Sequence, residues 1–384
     1  MKKTTVWPLL VAISVCGLAA AQSQELGPRN YTANLRLRPY VSLRGVYDSN
    51  LDATPDNELD DVSAILEAGM DFVNDTRLCT IDGRVWVLAE EYLDYTERAH
   101  QDFGNRLRIR LWEREKLLIV LDQRYEDRTA SDVVTGSIED WKQTEASLLL
   151  GKRLTDKLDG DLAYRYRGVR YESERLFDWD QQTLDFTLGH DLTRRTVGTL
   201  LLRGGRQTSE GNFEDADFAV AHVGITTRNS PKLSATVGLG WHYHDIEDAI
   251  STPSGDIAIR WQPRDRLGID LTALRTVEPA RQNRDNYNTV TRTSLALHFK
   301  PVNDITVSLT GMYARNDYDR PVEIGGVARK KRDDTWTGIL RCAYRPGGGK
   351  LELFGDLKIE ERDSTLDAND YASHVVGVGA RLQY

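Results

Sequence analysis

The chain has 384 residues, 59 acidic against 50 basic side chains, a formal net charge of −9 and 40% hydrophobic residues. Beyond the N-terminus no run of 18 apolar residues occurs, which excludes a helical membrane protein. An acidic balance without a basic block argues against a nucleic-acid partner. Length alone suggests two or three domains, yet one alternating pattern occupies nearly the whole chain.

Residues 1–21 read as a secretory signal. Lys2 and Lys3 supply the basic start, Leu9 to Leu18 the apolar run and Ala19-Ala20-Ala21 a small-residue cleavage site. The form is bacterial, so the first destination is the periplasm. Residues 22–34 are expected to be a short periplasmic segment and 35–384 a single β-domain.

From Leu35 onward one unit repeats: about ten residues alternate apolar with polar, then a turn or a longer polar segment follows. Leu158, Gly160, Leu162, Tyr164 and Tyr166 fall on one face, and Asp159, Asp161, Arg165 and Arg167 on the other. The period of two predicts about eighteen strands. They start near Leu35, Val62, Leu78, Asn105, Leu117, Thr144, Leu158, Thr183 and Thr196. The remainder start near Phe218, Leu233, Asp256, Leu267, Thr289, Ile305, Thr335, Leu351 and Ser373. The facing of the Thr196 strand is the least clear.

Short turns, such as Asn74-Asp75, Glu113-Arg114-Glu115 and Thr155-Asp156, alternate with longer charged segments at 48–60, 127–140, 245–251 and 316–332. Short inner turns and long outer loops are the asymmetry of an antiparallel transmembrane outer-membrane β-barrel. A soluble sandwich of this size would need Greek-key crossovers instead. Aromatic residues fix the direction. Tyr47, Tyr166, Tyr243, Tyr313 and Trp336 are expected at the outer rim, and Phe72, Trp261, Phe299 and Tyr344 at the inner one. Outer-membrane lipid is the implied surroundings.

The opposite faces are densely charged. The first strands give Arg38, Arg44, Asp82, Arg84, Arg106, Arg108, Arg110, Asp122, Arg124 and Glu126. Later ones give Asp159, Asp161, Arg165, Arg167, Asp185, Arg260, Asp270, Glu352, Asp356 and Lys358. Sixteen to eighteen strands enclose more space than side chains fill, so these residues are read as lining a watery pore. The bland alternative is that Arg–Asp pairs brace the wall, and the mixed signs argue against strong ion selectivity.

No cofactor or catalytic centre is expected. Pro346-Gly347-Gly348-Gly349-Lys350 lacks the P-loop spacing and its helix. His242 and His244 point inward without an evident carboxylate or cysteine partner, and read as wet pore histidines rather than metal ligands. Cys79 and Cys342 face lipid on separate strands, so no disulfide is expected. No Ser/His constellation supports an enzyme.

Tyr47-Asp48-Ser49-Asn50-Leu51 resembles the YDxN signature of a family of outer-membrane β-barrel porins often encoded with exopolysaccharide or capsule export systems. Asp60-Asp61-Val62, Tyr164-Arg165-Tyr166-Arg167 and Lys152-Arg153-Leu154-Thr155-Asp156-Lys157-Leu158 fit the same family. The resemblance implies a passive conduit with polysaccharide as cargo and a periplasmic export protein as partner. A final strand ending in Tyr384 resembles the signal read by barrel assembly machinery. A general diffusion or nutrient porin, or an adhesive barrel with binding loops, stays open on the residues alone.

Overall fold

The computed structural model describes residues 35–54, 58–76, 79–111, 117–132, 137–172, 178–209, 215–245, 249–279, 287–324, 327–366 and 369–384. The expected signal and pre-barrel segment, and the turn at Glu113-Arg114-Glu115, lie outside the described residues.

Eighteen strands follow one another: β1 (Leu35–Asp48), β2 (Asp61–Asp75), β3 (Cys79–Tyr92), β4 (His100–Leu111), β5 (Leu117–Asp132), β6 (Ser137–Arg153), β7 (Leu158–Tyr171), β8 (Trp179–Thr193) and β9 (Thr196–Ser209). The second half comprises β10 (Ala216–Ser230), β11 (Leu233–Asp245), β12 (Ile250–Arg264), β13 (Leu267–Pro279), β14 (Tyr287–Phe299), β15 (Ile305–Ile324), β16 (Val327–Tyr344), β17 (Leu351–Ser364) and β18 (Tyr371–Gln383). Each pairs antiparallel with its successor, and β18 pairs with β1, so the sheet closes into a barrel. Closure follows from the solvent: hydrocarbon offers no partner to an edge strand, and every unpaired backbone group there costs several kcal/mol.

Cross-strand partners share a face, and the registers give the outer face expected from the sequence. Leu162 lies between Leu150 and Phe186, and Leu239 between Val223 and Gly255. Leu239 is 67% exposed, which only surrounding lipid accommodates in so large an apolar side chain. Tyr313 packs on Trp336 at the outer rim with ring centroids 4.4 Å apart, and Phe103 on Tyr125 at 5.4 Å. Trp261, Phe299 and Tyr344 are exposed at the opposite rim. Cys79 and Cys342 are free thiols on β3 and β16.

The strands rising from short turns begin within one residue of expectation, whereas the descending strands begin between one and eight residues early. Much of 127–140 and 316–332 is therefore strand rather than loop: β5 runs to Asp132, β6 starts at Ser137, β15 reaches Ile324 and β16 starts at Val327. Above the lipid both faces of a hairpin meet water. The apolar alternation stops there, although the hydrogen-bonded ladder continues.

The β1–β18 seam is one of the shorter ladders, with nine register pairs (Tyr40–Gln383 to Asp48–Val375) against fourteen between β1 and β2. Side chains extend it at both ends. At the outer end the Tyr47-Asp48-Ser49-Asn50 motif reaches across to β18. The Ser49 amide donates to the His374 carbonyl at 3.1 Å and the His374 amide donates to Ser49 Oγ at 2.9 Å. Ser373 Oγ donates to Asp48 Oδ1 at 3.0 Å, and buried Asn50 donates from Nδ2 to the carbonyls of Thr54 and Ala372, each at 2.9 Å. Lower down, Arg44 crosses β18 to an ion pair with Asp356 on β17. Its guanidinium passes where a Cβ on Gly377 would lie, 2.5 Å away, so a larger residue there would push the arginine off this path. Near the inner end Tyr40 is fully buried, donates to Glu67 at 2.6 Å and carries the Arg381 guanidinium 3.9 Å from its ring centroid. The YDxN-type motif is a closure latch.

Asn50→Ala removes one strand-to-strand hydrogen bond and a second to Thr54, both made by a buried side chain. A loss of about 1–3 kcal/mol is expected, read as a lower temperature for conversion of the heat-modifiable gel band. Leu239→Arg places a charge in lipid and is expected to cost roughly 2–4 kcal/mol, whereas Arg108→Gln on the opposite face leaves folding yield nearly unchanged. Equal yields on refolding into lipid vesicles would reverse the assignment of faces.

Candidate functional site: the inner wall

The alternation that sends Leu107, Ile109 and Leu111 to the lipid sends Arg106, Arg108 and Arg110 inward on β4, and the antiparallel register sets partners beside them. Asp122 on β5 lies opposite Arg108, and Arg124 opposite Arg106. Together with β1–β3 and β6–β9 they enclose a cavity of about 1120 Å³. Nine of its lining residues are arginines: Arg38, Arg84, Arg106, Arg108, Arg124, Arg128, Arg165, Arg167 and Arg203. Five are acidic: Asp71, Asp82, Asp122, Glu126 and Glu145.

Most of the residues expected on this wall are ion-paired across neighbouring strands. Arg84 binds Asp71 through Nε at 2.5 Å and Nη2 at 3.1 Å. Arg108 and Arg106 both reach Asp122, at 2.6 and 3.4 Å. Arg124 binds Glu126 at 2.7 Å, and Arg128 shares that carboxylate at 3.0 Å. Arg203 binds Asp185 through Nε at 2.7 Å and Nη2 at 3.0 Å, with Arg165 on the same carboxylate. Arg167 lies 3.4 Å from Glu145, and Arg110 lies 4.0 Å from Asp82. Arg38 lines the cavity with no ion-pair partner among the described residues.

Other expected residues sit apart from this group. Asp159 lies 3.7 Å from Arg153 near the short-turn end, and Asp161 fills the space beside Gly151. Arg260 binds Asp270 at 2.8 Å on β12–β13. Glu352 takes Arg345 and, at 3.4 Å, Arg341; Asp356 takes Arg44; Lys358 lies 3.1 Å from Glu360. The wall thus holds an arginine-rich group on β1–β9, an isolated pair on β12–β13 and a smaller group around β16 and β17.

Several members escaped the sequence reading. Arg203 follows Leu200-Leu201-Leu202, a run without alternation, so its facing was hidden; Arg128 lies in a segment read as loop. Asp71 and Glu145 obey the period-two rule, which could have found them.

The histidines depart from expectation. His242 and His244 are buried, not wet. The His244 ring stacks on Phe218 with centroids 5.3 Å apart and meets Tyr287 at 5.1 Å, while His242 lies 5.8 Å from His222 and 6.1 Å from His244. Tyr287 joins Ala216 and Val277 in a small apolar cluster on this side of the barrel, which shuts out the water expected around these rings. Among the described residues no group of three or more ligand side chains could hold a metal.

An eighteen-strand closed barrel with a lipid-facing belt, two aromatic rims and a charged interior defines a transmembrane pore protein. The comparisons agree. The family model described as "Putative beta-barrel porin 2" matches residues 202–384. Two solved structures share the fold. Acinetobacter baumannii OccAB4 aligns with a TM-score of 0.52 at 12% identity, over 92% of this chain and 100% of that one. The siderophore receptor PirA of Pseudomonas aeruginosa aligns with a TM-score of 0.51 at 10% identity, over 91% of this chain and 80% of that one. No curated protein matches the sequence. The chain is a transmembrane β-barrel of the bacterial outer membrane, and its second half is similar to the porin family of that model.

Asp185 is buried and holds two arginines from β7 and β9. Asp185→Asn is expected to lower stability in detergent by about 1–3 kcal/mol, because charged hydrogen bonds to a buried acceptor are lost. Asp159→Asn, at an exposed pair 3.7 Å from Arg153, is expected to change it by no more than about 0.5 kcal/mol. Guanidinium unfolding followed by tryptophan fluorescence separates the two.

Proposed function

We propose that the barrel is a passive pore for hydrophilic solutes and that its cargo is a polysaccharide leaving the cell. The observation that carries the pore reading is the cavity of about 1120 Å³ with its wall of charged side chains, whose arginines are partly exposed to the lumen. A closed eighteen-strand sheet is too wide for side chains to fill, so water occupies its axis. The sequence carries no nucleotide-binding motif, so movement follows the gradient. Resemblance to YDxN-type porins supports polysaccharide as cargo and a periplasmic export protein as partner. Trp86 and Trp179 stand on the inner wall with Arg128 and Arg167 over their rings, each at 5.2 Å, and flat faces edged by donors suit sugar rings.

Deletion of the coding sequence discriminates between cargoes. Loss of surface polysaccharide with unchanged uptake of small solutes is expected. Intact polysaccharide with slower solute uptake would make the barrel a nutrient porin instead.

A further inference from the structure

Sign for sign, the inner wall looks balanced, but its charges are unequally placed. Three carboxylates each serve two arginines: Asp122 on β5, Glu126 on β5 and Asp185 on β8. One negative charge between two guanidinium groups leaves each trio with one positive charge in excess. Depth adds to the imbalance. The three acidic side chains are 21%, 8% and 4% exposed, whereas the six arginines range from 31% to 49%. The negative charge is recessed against the sheet and the positive charge is presented to the lumen. On the β10–β15 side the charges pair one to one, Arg260 with Asp270 at 2.8 Å and Arg292 with Glu278 at 2.7 Å, and Asp256 lies 3.8 Å from His222.

We propose that the β4–β9 wall is an anion track that selects solutes bearing carboxylate groups. The proposal rests on the pore reading and names the chemistry of what the pore passes. A guanidinium has five donors in a planar fork that matches a carboxylate with two parallel hydrogen bonds. The buried acid of each trio occupies only part of this set and fixes both forks in place, so an arriving carboxylate meets groups already oriented. Low-dielectric walls concentrate the resulting field along the lumen. A polymer with a carboxylate on each sugar could pass from one trio to the next. Tetrahedral oxyanions present acceptors too, without the planar match. Selectivity therefore belongs to arrangement rather than to the count of signs, which had argued against it.

The test uses the full mature chain, folded in detergent and verified by heat-modifiable migration, in planar bilayers under a potassium chloride gradient. The expected reversal potential reports chloride passing more readily than potassium, with the preference fading as salt screens the wall. Adding galacturonate oligomers is expected to block chloride current at lower concentration than inorganic phosphate does. Glu126→Gln should strengthen the anion preference, and the double substitution Arg124→Gln with Arg128→Gln should move the permeability ratio toward one or below. If both variants leave the ratio unchanged, the trios only brace the wall and the proposal is overturned. Should the double variant fail to fold, Arg106→Gln gives the same reading at a single exposed arginine of the Asp122 trio. A conducting pore without anion preference overturns this proposal alone. A folded barrel without conductance overturns the pore reading. In that case calorimetry with galacturonate oligomers still reads the track, and absence of salt-sensitive binding heat overturns it as well.

Discussion

Everything in this molecule follows from the need to leave no backbone amide unpaired in hydrocarbon. A sheet can meet that need only by closing, and closing depends on the one pairing that joins the two ends of the sequence. The β1–β18 ladder is short, so side chains from both strands supplement it: the Asp48–Asn50 latch at the outer end, Arg44 reaching Asp356 across Gly377 in the middle, and Tyr40 between Glu67 and Arg381 lower down. Seventeen other pairings are made between neighbours in sequence, where a turn holds the strands together. The seam has no turn. Its extra side-chain bonds stand in for that missing connection.

The same geometry sets the interior. Period-two alternation forces every second residue inward, and a wide barrel cannot bury them against one another. Charges are tolerated because water is present, and register decides which of them meet. Offset pairing lets one carboxylate sit between arginines of one strand or of two, as at Glu126 and Asp185. Fewer acids than bases then suffice to hold the wall. The cavity on the β1–β9 side thus gathers nine arginines and five acids in a chain whose net charge is −9.

How much could be read beforehand depended on the solvent at each position. Where lipid touches the barrel, alternation was clear except at Leu200-Leu201-Leu202, and the rising strands starting at Leu117, Leu158, Thr196, Leu233, Leu267, Ile305 and Leu351 were legible to the residue. Where water touches both faces, as in 127–132 and 316–324, nothing in the sequence distinguishes a strand from a loop. Inner-wall residues such as Arg108, Asp122 and Arg165 were legible one by one, because facing follows from parity. Their sharing was not, since it depends on side-chain reach across registers that parity does not give. Burial of His242 and His244 was equally hidden, because it depends on Phe218 and Tyr287 arriving from other strands.

The latch has a consequence for biosynthesis. Asn50 takes one partner four residues ahead and another 322 residues ahead, so half of its bonding exists as soon as the first hairpin forms and half must await the last strand. A chain cut short before Ala372 would leave the Asn50 amide without its second partner, at the strand that closes the barrel. The motif that resembles a family signature therefore ties the first strand of the barrel to the last. Barrels that differ in cargo could share such a signature for this reason alone, since a finished wall is required whatever passes through it.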